Sequence, residues 1–439
     1  MIENKQKTLA QWAMEYALKN GCQAARLNLY QNSNTSFEIR DMKIDSLQQA
    51  SESGLSIQLF VDGRYGSIST NRIDKQELET FIKNGIESTR YLAEDTARTL
   101  PDASLYYKGG GGDLQLYDSK FEDVKPDDKV ALAMRVCDEI MGKDARVISS
   151  NSSYSDGDSF SYRIASNGFE GEASASNFTL MAEASIKGDN DARPSSYWYE
   201  SSLYYDELIK DGIGTKALER ALSRLGQTKV ASARLPMVVE FTSSSQLLSP
   251  VMGAISGSAI QQKNSFMLDK LGQKVFNDKM TLVDEPHLKK SSGARYFDSE
   301  GVATQKRNIF DAGVLNIYFI DTYNSNKLAM PVTIGSSSIL VMPTGSKNAE
   351  GLAQSLEKGI MVTGFNGGNS NPTTGDFSYG IEGFLIEKGQ ITQPINEMNI
   401  TGNLLTLWSN LTETGNDARM TSSRRIPSLL FDNVDFSGM

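Results

Sequence analysis

"FSYGIEGFLIEKGQITQPI" (residues 377–395) decides the fold class. An apolar run over 377–387 meets Lys388-Gly389-Gln390, and a second run over 391–395 follows at once. A short glycine-bearing connection between two strand-like runs is the chemistry of a hairpin. The same punctuation recurs at Asp311-Ala312-Gly313, between 302–310 and 314–320, and at Asp62-Gly63, between 55–61 and 65–69. Further strand-like runs cover 24–30 and 36–44, and long strands rich in Ser, Phe and Tyr fill 147–204. Helical spacing predicts helices over 5–20, 74–91, 126–141, 205–225, 349–358 and 404–411. Hairpin-rich strands with segregated helices predict an α+β fold with mixed or antiparallel sheets, not a doubly wound parallel one.

The chain has 439 residues, more than one hydrophobic core usually supports. The texture changes across 226–236, so two α+β domains are expected, 1–228 and 229–439, the second richer in hairpins. Hydrophobic residues make up 39% and mean hydropathy is −0.37, which suits a soluble globular protein. The N-terminus has no apolar signal core, and the run Ile339-Leu340-Val341-Met342 falls far short of the ~20 residues of a membrane helix. No membrane association is expected, and a cytoplasmic location is. A net charge of −10 argues against direct nucleic-acid binding. The basic pairs Lys289-Lys290 and Arg424-Arg425 are isolated and read as solvated faces. Cys22 and Cys137 read as small buried hydrophobes in a reducing compartment.

No catalytic constellation assembles from the residues. The chain holds one histidine, His287. A metal site built on a histidine pair is therefore impossible within one chain, and a Ser-His-Asp triad would have to use His287. Gly-x-Ser-x-Gly is absent, and Ser355-Leu356-Glu357-Lys358 lies on an ordinary amphipathic helix. The glycines at 109–112 lack the Gly-Lys-Ser/Thr ending of a phosphate loop. Asp298-Ser299-Glu300-Gly301 reads as a tight turn, and the polar loop over 366–371 leads into Thr374, Asp376 and Phe377. The candidate peptide- or partner-contact residues are Asp298, Glu300, Asn366, Asn369, Thr374, Asp376 and Phe377.

One helix is chemically silent. In "FTSSSQLLSPVMGAISGSAIQQKNS" (241–265), Leu247, Leu248, Val251, Met252, Ala254 and Ile255 recur at helical spacing, with no His, Asp, Glu or Cys among them. Ser249-Pro250 reads as its N-cap and first turn.

Several strings resemble one family. They are "AISGSAIQQKNSFMLDKLGQKVF" (254–276), "DEPHL" (284–288), "FDSEGVATQKRNIFDAGVLNIYFIDTYNSNKL" (297–328), "TGDFSYGIEGFLIEKGQITQPI" (374–395) and "ITGNLLTLWSNLTETGND" (400–417). Together they resemble the TldD/PmbA family, once described as modulators of DNA gyrase, and within it the PmbA/TldE branch. The resemblance implies a subunit of a heterodimeric cytosolic metallopeptidase that cleaves unfolded peptides. It implies zinc only in a TldD-like partner, whose helix carries His-Glu-x-x-x-His with a later cysteine. By loose register those ligands fall near Leu248, Gly253 and Ile426 here, and the glutamate near Ser249. None of these side chains supplies a zinc ligand or a general base. The resemblance thus implies no catalytic residue and no metal or other cofactor in this chain. Two further expectations stand beside it: a stand-alone peptide- or protein-binding homo-oligomer, such as a homodimer of the isolated chain, and a metal-independent hydrolase.

Overall fold

Alternation along the strands builds the N-terminal half. The computed structural model describes residues 2–438. Strands β1 (Ala24–Arg40), β2 (Lys43–Val61), β3 (Arg64–Thr70), β4 (Val147–Ala165), β5 (Phe169–Ile186) and β6 (Ser195–Ser202) form one antiparallel sheet, ordered β3-β2-β1-β4-β5-β6. Along β1, Ala25, Leu27, Leu29, Phe37 and Ile39 are buried, all of one parity and so on one face. Helices α1 (Asn4–Lys19) and α2 (Lys75–Thr89) cover Leu27, Leu29, Leu55 and Ile57. Helices α3 (Pro126–Asp138) and α4 (Ile213–Ser223) cover Phe37, Ile39, Tyr154 and Phe178. Residues of the other parity, such as Asn28, Tyr30 and Asn32, leave the opposite face polar.

Two expected elements change here. The run at 36–44 is not one strand: β1 is continuous from Ala24 to Arg40, and the chain then reverses at Asp41-Met42. Both turn residues have positive φ, 47° and 63°, without a glycine. The Asp41 carboxylate secures the turn by accepting from the Ser150 N–H (2.9 Å) and the Ser149 hydroxyl (3.2 Å). The helix expected over 205–225 is a short 3₁₀ turn, Tyr205–Glu207, followed by α4. Gly212, at φ 81°, breaks the run, and the Glu139 carboxylate caps α4 by accepting from the N–H groups of Gly212, Gly214 and Thr215.

The C-terminal half closes on itself. Strand β7 (Ala233–Val239) pairs in parallel with Lys358–Ser370 and antiparallel with Leu429–Ser437. Lys358–Ser370 continues to Asp376–Glu387, and that strand to Gln390–Asn403 through the Lys388-Gly389 turn. Gln390–Asn403 then pairs with Leu429–Ser437 over Asn399, Ile400 and Thr401, completing the ring. The hairpin predicted at 377–395 is therefore part of this ring. A smaller sheet joins Leu282–Asp284, Arg307–Asp311, Val314–Leu315, Leu340–Val341 and Arg424–Arg425. Its hairpin turns at Ala312-Gly313 as expected, but the flanking runs pair over fewer residues than 302–310 and 314–320. Tyr318, Phe319 and Ile320 enter the core as irregular chain. The helices expected at 349–358 and 404–411 are Ala349–Gln354 and Leu404–Ser409.

One turn couples the halves. Asp298 is 2% exposed, and its carboxylate accepts from the N–H groups of Glu300 (2.8 Å), Val302 (3.0 Å) and Gly335 (3.3 Å). Glu300 reaches Arg26 of β1 (3.4 Å), while its other oxygen accepts from the N–H and hydroxyl of Thr322. Phe297 packs edge-on to Phe169 (5.2 Å), and Tyr106 joins the same cluster. Gly301, at φ 89°, lies against the Phe169 ring, where a Cβ would stand 2.7 Å from a ring carbon.

Relief of the turn strain is measurable. Met42→Gly should raise stability by roughly 0.5–1 kcal/mol in urea unfolding, because glycine adopts the left-handed conformation without a Cβ penalty. An unchanged or lower midpoint would show that Met42 is not strained.

Candidate functional site

The silent helix starts where β7 ends. Helix α5 spans Phe241–Ala254, so Ser249-Pro250 is not its N-cap. The Glu240 carboxylate does not cap it, because Arg220 of α4 takes both oxygens in a bidentate pair at 2.7 and 2.7 Å. The Ser428 hydroxyl substitutes: it accepts from the Phe241 N–H (2.9 Å) and donates to Asp417 (2.8 Å). Pro250 sits inside the helix and cannot donate to the Gln246 carbonyl. One residue earlier, the Ser249 hydroxyl donates to the Ser245 carbonyl (3.0 Å). The apolar residues Leu247, Leu248, Val251 and Ala254 pack with Met237, Val362, Ile426 and Phe431. This burial supplies most of the helix's stability, since its own N-cap residue gives no side-chain cap and its first turn holds no acidic residue.

The structure draws three of the four expected degenerate positions together. Leu248 and Ile426 belong to one core cluster and are each 1% exposed. Ser249 meets the same C-terminal segment from above, accepting from the Arg424 guanidinium (2.7 Å). Ser244 closes the contact by donating to the Ile426 carbonyl (3.1 Å). Gly253 stands apart on the exposed side, and a Cβ built there meets nothing within 4 Å. This donor set does not fit zinc: two aliphatic side chains, a glycine, and a hydroxyl already bonded to a guanidinium. A fixed positive charge beside Ser249 opposes any cation there. Among the described residues, no group of three or more His, Cys, Asp or Glu is placed to hold a metal.

The exposed side of α5 borders a cavity of about 370 Å³ between the two halves. Trp198, Tyr199, Phe241 and Phe365 give it aromatic walls. Arg224 pairs with Glu382 and donates to the Ser195 carbonyl. Burial, then the neighbouring Arg220, pulls the Arg224 pKa below its ordinary value. Arg419 donates to the Tyr199 carbonyl (2.6 Å) and lies over the rings of Tyr199 (4.0 Å) and Trp198 (4.9 Å). Arg424 is exposed, as expected of a solvated pair, and also bonds Ser249; Arg425 departs from that reading, being half-buried and donating to Ser291 (2.7 Å). Sequence reading missed Arg224 and Arg419, and named Arg424 only as part of a solvated pair, for no local motif marks an arginine whose partners lie far away in the chain.

The expected contact residues separate into two groups. Asp298 and Glu300 lie within the coupling turn, and their oxygens are taken by backbone N–H groups, Arg26 and Thr322. Asn366, Asn369, Thr374 and Asp376 lie exposed at the tip of the hairpin between Lys358–Ser370 and Asp376–Glu387. Hydrogen bonds from Asn403 and Thr374 hold Asp376 below the usual carboxylate range. Asn366 donates to Asn396 (3.1 Å). Phe377 is buried and stacks on Tyr379 (5.2 Å), so it anchors the tip. His287 stands away from α5, within 3.0 Å of the Thr304 hydroxyl and beside Tyr296. Cys22 and Cys137 are buried free thiols, and burial pushes Cys22 up to about 11.

Two substitutions test the support of α5. Ser428→Ala should cost about 1–3 kcal/mol in urea unfolding, because it strands the Phe241 N–H and removes one of the two hydrogen bonds to Asp417 Oδ2, which keeps only the Ala349 N–H. Gly253→Ala should stabilise by about 0.5–1 kcal/mol, because the site is helical and open. The opposite sign for either would refute the packing described for this helix.

Comparison with known proteins agrees with this geometry over the whole chain. Profiles of the PmbA/TldA metallopeptidase match in order: domain 1 over residues 25–89, the central domain over 119–225 and the C-terminal domain over 232–438. A protein named Metalloprotease PmbA homolog, from Haemophilus influenzae, is 28% identical over 441 residues, covering 99% of this chain and 97% of that one. The crystal structure of a protein described as a modulator of DNA gyrase, from Bacteroides thetaiotaomicron, superposes with a TM-score of 0.99 at 64% identity, covering 100% of both chains. TldE from Thermococcus kodakarensis shares the fold, with a TM-score of 0.85 at 17% identity, covering 98% of this chain and 100% of that one. The chain belongs to the TldD/PmbA family.

Proposed function

We propose that this chain is the zinc-free, TldE-like subunit of a cytoplasmic TldD/TldE-type metallopeptidase acting on unfolded peptides. Its part is to complete the peptide chamber and to hold an extended segment for a TldD-like subunit that carries the metal. The observation that carries this reading is the donor set at α5. Leu248 and Ile426 are buried in the core, and Ser249 is held by Arg424. A helix that keeps its packing without metal ligands supports a positioning role over a hydrolytic one. The exposed hairpin tip around Asn366, Asn369, Thr374 and Asp376 offers polar groups for peptide or partner contact. Backbone hydrogen bonding to an extended chain would give the sequence tolerance that unfolded substrates require.

Co-expression tests the reading. The chain should co-purify with a TldD-like subunit bearing His-Glu-x-x-x-His, and the complex should cleave an unfolded peptide faster than that subunit alone. The isolated chain should carry substoichiometric zinc by elemental analysis and should not cleave the peptide. Full cleavage by the partner alone with no complex would overturn the proposal. Chelator-insensitive cleavage by the isolated chain would replace it with a metal-independent hydrolase.

A further inference from the structure

A second, larger cleft of about 630 Å³ lies between the polar face of the N-terminal sheet and loops of the C-terminal half. Its volume falls within the range of ligand sites. Asn28, Asn32, Ser159 and Ser161 line it from the sheet, and Ser292 and Ser338 from the opposite wall. No Asp or Glu lines it among the described residues, although the chain carries 54 of them and a net charge of −10. Two guanidiniums do line it, Arg163 from β4 and Arg295 from the facing loop.

The two arginines differ in how they are held. Arg295 is fixed by the loop it braces, donating to the Ser338 hydroxyl (2.9 Å) and to the carbonyls of Ser336 (2.7 Å) and Ser337 (3.0 Å). Arg163 makes two long contacts to neutral oxygens, with Asn28 and with the Asp298 carbonyl, both at 3.3 Å. Burial lowers the Arg163 pKa most; Asp298 opposes this, while Arg295 and Arg26 add to it by repulsion. Among the described residues, neither guanidinium has a carboxylate within salt-bridge distance, whereas Arg26 pairs with Glu300. Asp298 and Asp284 stand behind the wall and bond backbone N–H groups. They offset part of the guanidinium charge, so a monoanion fits the cleft better than a dianion.

We propose that this cleft receives the C-terminal carboxylate of a peptide, bound between Arg163 and Arg295, while the serine and asparagine walls bond the preceding backbone. The carboxylate suits two planar donors arriving from opposite walls. Tyr30, Leu116 and Leu203 also line the cleft and give the chain that precedes the carboxylate apolar surface to rest on. The inference rests on the peptide-binding role given above, and it assigns that role an end-reading site.

Calorimetric titration of the full chain with an N-acetylated Ala/Ser pentapeptide tests it. The free-acid peptide should bind about tenfold or more tightly than its C-terminal amide at low salt, and added salt should shrink the gap. Arg163→Gln should remove the gap while leaving the thermal midpoint close to that of the unchanged chain. Ser161→Asp, which places a carboxylate in the cleft, should weaken the acid peptide more than the amide. Equal binding of acid and amide, or no binding of either to folded protein, would overturn the assignment. Inorganic phosphate binding more tightly than the acid peptide, and lost with Arg163→Gln, would reassign the cleft to phosphate and overturn it also. Complex formation with the TldD-like subunit, measured on the same variants, keeps the two ideas apart. A persistent acid–amide gap without any complex would sink the subunit role alone.

Discussion

The buried carboxylate of Asp298 organises the joint between the two halves. It satisfies three backbone N–H groups, from Glu300, Val302 and Gly335, in a place with almost no access to water. A buried ion is tolerated only when its lone pairs are used, and here backbone donors use them. The turn so fixed directs Glu300 toward Arg26 and Phe297 toward Phe169. The turn also borders the larger cleft, where the Asp298 carbonyl accepts from Arg163 (3.3 Å).

Strand β6 shows how the halves share a second constraint. It is the edge of its sheet, and edges invite pairing with other chains. Arg224 and Arg419 bond the carbonyls of Ser195 and Tyr199 on this strand, four residues apart and so on the same side of the edge. Both guanidiniums occupy an open edge, and Arg419 also lies against aromatic rings around the smaller cavity. Arginine suits both, because its planar fork bonds carbonyls while its face stacks on Tyr199 and Trp198.

What was legible in the sequence was local. The Lys388-Gly389 and Ala312-Gly313 turns announced themselves through glycine, and the apolar face of α5 through helical spacing. The turn at Asp41-Met42 did not, because it uses two ordinary residues in a conformation usually given to glycine. The polar middle of β1 hid a single long strand, since it lies between two helix-covered regions and has little apolar surface to bury. The start of α5 was misplaced because Ser-Pro mimics an N-cap, whereas the true cap comes from Ser428, far along the chain. The tight turn at Asp298-Ser299-Glu300-Gly301, with an acid bonding backbone N–H groups, was legible; its coupling of the two halves was not, because Arg26 and Phe169 lie far from it in sequence.

The order of strands in the C-terminal ring bears on how the protein is made. The N-terminal sheet is complete once Ser202 has been synthesised. Strand β7 emerges soon after, but its two neighbours are Lys358–Ser370 and Leu429–Ser437. Until Lys358–Ser370 leaves the ribosome, β7 has neither strand neighbour, and until Leu429–Ser437 follows, one of its edges stays open. A chain released early would expose Met237, Val238 and Val239, a short apolar strand with both edges open. The parallel and long-range pairings here also close slowly, because distant segments must meet before any contact is gained. Early folding of the N-terminal half thus leaves the second half dependent on shielding during synthesis, and ring closure becomes its last and most exposed step.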